Sequence, residues 1–110
     1  MLAAMGTLVI KNPSINTRPK VGETVIYKFQ ISDINSGQPV SGLTDIHIMD
    51  VMTTQNKHKQ TAATETEIKG TYVANLRFND EGLYYLYIGC PSRGLDYNNT
   101  QYRIVYASKN

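Results

Sequence analysis

Apolar and polar residues alternate with a period of two along most of the chain. Over residues 22–33, Val25, Tyr27, Phe29 and Ile31 fall on one side and Thr24, Lys28, Gln30 and Ser32 on the other, with Ile26 the only breach. Such alternation predicts a strand buried on one face. Residues 70–78 repeat it, with Tyr72, Ala74, Leu76 and Phe78 opposite Thr71, Asn75 and Arg77. Residues 83–90 predict a further strand. If Tyr84, Leu86 and Ile88 face the core there, Leu83, Tyr85 and Tyr87 face away from it. Residues 45–54 are largely apolar on both sides: Ile46, Ile48, Asp50 and Met52 alternate with His47, Met49, Val51 and Thr53. That suits a central strand, or one whose outer face meets a partner.

Turn chemistry separates these runs. Residues 33–39 contain Asn35, Ser36 and Gly37, and residues 79–82 are Asn79, Asp80, Glu81 and Gly82; both clusters favour chain reversal. Residues 7–11 read as a first strand. Residues 101–106 read as the last, with Tyr102, Ile104 and Tyr106 alternating against Arg103 and Val105. Residues 55–69 are polar and weakly patterned, a long loop followed by a short edge strand. A helix over residues 60–69 would bury only one large side chain, Ile68. About seven strands at this spacing predict an all-β fold, an antiparallel sandwich of two sheets. Residues 1–110 read as one domain, with residues 1–6 flexible or appended.

Composition narrows the function classes. The chain has 110 residues, 41% hydrophobic and 18% charged, enough for a core of its own and too apolar for a disordered tail. A formal charge of only +2 gives no field for a polyanion. Eight tyrosines would stack bases only with basic residues interleaved on their face, so nucleic acid is not expected as a partner. The single cysteine, Cys90, excludes an intrachain disulfide and any zinc site built on several cysteines. Residues 1–10 are too short and too interrupted to insert in a membrane or to serve as a signal peptide.

Asp80, Gly82 and Tyr84 stand in the order Asp-x-Gly-x-Tyr. This resembles the tyrosine corner of immunoglobulin-like domains, in which the phenol bonds to nearby backbone and pins the connection into the penultimate strand. Leu86 stands where antibody domains place their second disulfide cysteine, so the resemblance implies a sandwich without a disulfide. The wider phrases Val21-Gly22-Glu23-Thr24-Val25, Gly37-Gln38-Pro39-Val40-Ser41-Gly42-Leu43-Thr44-Asp45, Gly70-Thr71-Tyr72, Glu81-Gly82-Leu83-Tyr84-Tyr85-Leu86-Tyr87 and Pro91-Ser92-Arg93-Gly94-Leu95 resemble bacterial immunoglobulin-like domains of extracytoplasmic proteins, found beside β-propeller or cytochrome-related modules. The resemblance implies a periplasmic or extracellular location and a non-enzymatic module. It carries no ligand or catalytic signature.

The chemistry-bearing residues are few. His47, Met49 and Cys90 are donor types that copper or haem sites use, with His58 and Met52 nearby in sequence. On a strand, His47 and Met49 share a face while Met52 points the other way, so these donors do not converge without a bulge. Metal handling is therefore the alternative reading. Cys90 has no local motif of a nucleophile, no phosphate loop or serine elbow occurs, and Glu65 and Glu67 read as solvated. Lys57, His58 and Lys59 read as a basic loop tip. The remaining feature is the outward row Leu83, Tyr85 and Tyr87, extended by Met49 and Val51, because tyrosine offers large contact area with few rotors to immobilise. The sequence reads as a binding or assembly module, without a cofactor, whose partner is a protein or a second copy.

Overall fold

The computed structural model describes residues 8–98 and 100–109. Among them, eight strands form two antiparallel four-stranded sheets. The first sheet has the order β1-β2-β6-β5, with β1 Leu8–Ser14, β2 Thr24–Asp33, β6 Thr71–Arg77 and β5 Thr64–Glu65. The second has the order β4-β3-β7-β8, with β4 Lys57–Ala62, β3 His47–Met52, β7 Gly82–Gly89 and β8 Arg103–Ala107. The all-β two-sheet expectation holds.

The alternation sorts the side chains as their periodicity requires. Val25, Tyr27, Phe29 and Ile31 of β2, and Tyr72, Ala74 and Leu76 of β6, are buried. Across from them lie Ile48 and Met52 of β3, Tyr84, Leu86 and Ile88 of β7, and Val105 and Ala107 of β8. Burying one large side chain of this kind contributes about 1.5–3 kcal/mol, which makes the inward rows the main source of stability. Ile26, the breach in β2, points outward and is exposed.

Three expectations need correction. The first strand runs to Ser14, with an irregularity between Lys11 and Ser14, and the expected start at Thr7 lies outside the described residues. Residues 57–62 are not a loop: they form edge strand β4, in register with β3 through His58↔Val51, Gln60↔Met49 and Ala62↔His47. The basic run Lys57, His58 and Lys59 opens that strand. An edge strand pairs on one side only, so polar residues suffice and the period-two signal disappears. Glu65 is not simply solvated. Its carboxylate accepts the amides of Gly42 at 2.9 Å and Gly70 at 2.8 Å, and these bonds hold its pKa below the usual range.

Two buried tyrosines hold the connections between the layers. The Tyr84 hydroxyl donates to the Asp80 carbonyl at 2.6 Å and accepts the Asp80 amide at 3.2 Å, while its ring packs on Phe78 at 4.6 Å between centroids. The Tyr72 hydroxyl donates to the Val40 carbonyl at 2.9 Å and accepts the Leu43 amide at 3.2 Å. Gly70 lies under the same loop at φ +81°, and a Cβ there would come within 2.6 Å of Pro39 Cβ, so the close approach requires glycine. After β1 the chain crosses to the second sheet, where Tyr106 and Ser108 donate their amides to the carbonyls of Thr17 and Pro19.

Tyr84→Phe keeps the ring and deletes both hydroxyl bonds. Urea unfolding should show a loss of about 1 kcal/mol, the net worth of a hydrogen bond, with an unchanged denaturant slope.

Candidate functional site: the outward face of the second sheet

The pleat of β7 places Leu83, Tyr85 and Tyr87 on the side away from the core, and the pairing registers build a surface around them. Leu83 pairs with Tyr106 and Tyr85 with Ile104 on β8. On the other flank, Tyr85 pairs with Val51, Tyr87 with Met49 and Gly89 with His47. Opposed residues of an antiparallel pair lie within contact reach, so the outward positions of three strands form one continuous apolar and aromatic field. No Lys, Arg, Asp or Glu occupies an outward position of the four strands.

Tyr85, Tyr87, Met49 and Val51 are half-buried, whereas Leu83 is 40%, Ile104 53% and Tyr106 41% exposed. The partial cover comes from two tyrosines outside the strands. Tyr102 lies edge-on to Tyr85 with centroids 6.1 Å apart, and 5.8 Å from Tyr87, while Tyr97 approaches Tyr87 edge-on at 6.0 Å. Tyr97 and Tyr102 are themselves about half exposed. Burial, with the negative charge of Asp96 nearby, pushes the Tyr87 phenol up and keeps it neutral. Tyr102, expected in the last strand, lies just before β8, which runs from Arg103 to Ala107, and Tyr97 carries no signal along the chain. Ile104 and Tyr106 alternate as expected, and the register of β8 with β7 sets their outward direction.

The metal-type donors do not gather. The His47 ring lies over Gly89, where a Cβ would come within 2.6 Å of Nε2, and its Nδ1 sits 3.3 Å from the Asp45 carbonyl. Met49 is outward and Met52 is buried in the core. Cys90 is fully buried, and its thiol donates to Asp45 Oδ1 at 3.1 Å. The Ser92 amide and hydroxyl also bond to that carboxylate, at 2.6 Å and 2.9 Å. Burial and the Asp45 carboxylate both push the Cys90 thiol up, away from the reactive thiolate. Among the described residues no group of three or more His, Cys, Asp or Glu side chains is placed to hold a metal ion.

A family model described as YtkA-like matches residues 10–89, from β1 through β7. The chain belongs to the YtkA-like family. Among solved structures it is similar to the crystal structure of the Lin-41 filamin domain, with a TM-score of 0.67 and 13% identity over 94% of each chain. That likeness establishes an immunoglobulin-like sandwich and nothing about activity. None of the curated proteins matches the chain. No helix among the described residues is long and apolar enough to cross a membrane.

This YtkA-like domain carries charges on the inner face of the second sheet. Lys59, Asp50, Leu86 and Arg103 form one rung across β4, β3, β7 and β8. The two cations stand on the edge strands and reach the first sheet's side: Lys59 Nζ donates to the Arg77 carbonyl at 2.6 Å, and Arg103 Nη2 to the Pro13 carbonyl at 2.8 Å. Asp50, on a central strand, is 5% exposed, and its Oδ2 has no partner among the described residues. Burial raises its pKa against the opposing pull of Lys59.

A carboxyl whose folded pKa is raised stabilises the fold while protonated and loses that contribution as pH rises through its folded value. Asp50→Asn removes this dependence while leaving the lowered pKa values of Asp33, Asp45 and Glu65 in place. Denaturation curves from pH about 4 to about 7 should show the variant gaining steadily on the parent chain as pH rises. A constant difference across that range would show that Asp50 keeps its ordinary pKa.

Proposed function

We propose that the domain is a non-enzymatic protein-docking module that works through the outward face of its second sheet. One observation carries the reading: a continuous field of Leu83, Tyr85, Tyr87, Ile104 and Tyr106, flanked by Met49 and Val51, lies on the open side of β7 without a charged residue in its rows. Aromatic, charge-depleted surfaces are the composition of interface centres. The rings are held in place before any partner arrives, because Tyr85, Tyr87, Tyr97 and Tyr102 brace one another, and a pre-ordered surface loses less entropy on association. The partner is a protein or a second copy of the domain. The matching sequence phrases favour an accessory subunit of an extracytoplasmic bacterial complex.

Site-specific crosslinking tests this reading. A photoreactive residue at Ile104 or Tyr85 should give a discrete protein adduct in the native host, whereas one at Asn75, on the outer face of the first sheet, should give none. Ile104→Ser combined with Tyr106→Ser should abolish the adduct formed from Tyr85 while changing stability by only about 0.5 kcal/mol, as expected of surface positions. Equal labelling from Ile104 and Asn75 would refute the proposal.

A further inference from the structure

The two sheets part at the edge where β1 faces the start of β8, and a cleft of about 450 Å³ opens there. This lies within the range of about 300–1,000 Å³ in which proteins hold small molecules. Its walls are mixed: Leu8 and Ile10 of β1, Ile34 beyond β2, Ile88 of β7 and Leu95 stand beside Thr100, Gln101 and Tyr102. Leu8, Ile88 and Leu95 are core residues already covered by their neighbours, whereas Ile10 is half-buried and Ile34 exposed, so these two offer the accessible apolar surface of the cleft.

Arg103 is the one charged side chain among the described residues that line this cleft. It occupies an inward position of β8, in the same row as buried Val105 and Ala107. Its Nη2 donates to the Pro13 carbonyl, while its Nε is buried without a partner among the described residues. No carboxylate lies within ion-pairing distance of it among those residues. Tyr27 lines the same cleft from the first sheet. Its burial pushes the phenol up, so it remains a neutral donor. A partly apolar cleft with one guanidinium that has no carboxylate partner, and a phenol at its wall, selects against cations and for an anion attached to an apolar body, because the planar fork of arginine matches a carboxylate.

We propose that this cleft binds a small amphipathic carboxylate, of the medium-chain fatty acid class, with its alkyl chain against Ile10 and Ile34 and its carboxylate on Arg103. The site is separate from the outward tyrosine face, with which it shares only Tyr102, so either assignment can fail without the other.

Calorimetric titration of the full chain with octanoate, octanol and octylammonium tests the assignment. Octanoate should bind saturably with one site and at least about tenfold more tightly than octanol, a charge-assisted contribution of ordinary size, and octylammonium should not saturate. Arg103→Gln should bring octanoate down to the octanol level and leave octanol unchanged. Amide shifts on titration should concentrate at residues 8–10 and 100–103. Should Arg103→Gln fail to fold, the headgroup series and the shift map on the unaltered chain decide alone. Absence of saturable octanoate binding, equal binding of octanoate and octylammonium, or shifts confined to Tyr85 and Tyr87 would each overturn the proposal.

Discussion

Burial of Tyr84, Leu86 and Ile88 against the first sheet is the constraint on which the architecture rests. The side chains of a strand point alternately to its two faces, so committing this row inward also commits Leu83, Tyr85 and Tyr87 outward. A slip of one residue would exchange the two rows and expose the core. The Tyr84 hydroxyl guards against such a slip where β7 begins, since its bonds to the backbone of Asp80 tie the strand's entry to one register. The core and the candidate interface are two consequences of a single pleat.

The same sheet solves its edge problem with charge. Both of its edge strands carry a cation at an inward position, and each cation bonds a carbonyl on the first sheet's side, Lys59 at Arg77 and Arg103 at Pro13. Inward charges on edge strands discourage further strands from adding and so limit aggregation. The two edges then differ. Beyond Arg103 the layers separate into a cleft lined by Leu8, Ile88 and Leu95, whereas Lys59 faces the buried Asp50, whose Oδ2 has no partner among the described residues.

Membership of the YtkA-like family and likeness to the Lin-41 filamin domain place the chain among immunoglobulin-like sandwiches. That architecture supports many unrelated uses, so function has to be argued from particular surfaces. Here the surfaces divide by chemistry. The outward field is wide and aromatic, with no charged residue in its strand rows, which suits protein contact. The cleft combines apolar and polar walls with one cation, which suits a small anionic amphiphile. Cys90, His47 and Met49 belong to neither, because the thiol is spent on Asp45 and the imidazole is laid over Gly89.

Period-two alternation was enough to assign Phe29, Leu76, Leu86 and their neighbours to the core, and Tyr85 and Tyr87 to the opposite face, because burial of one face leaves a local mark on consecutive residues. Strand β4 left no such mark: its residues pair on one side only, and polar side chains satisfy that environment. The Tyr97 and Tyr102 lids, the Tyr72 hydroxyl on Val40, and the inward Arg103 and Asp50 were equally silent along the chain. Each depends on which segments the folded sheets bring together, and such distances are set by register and packing rather than by the order of residues.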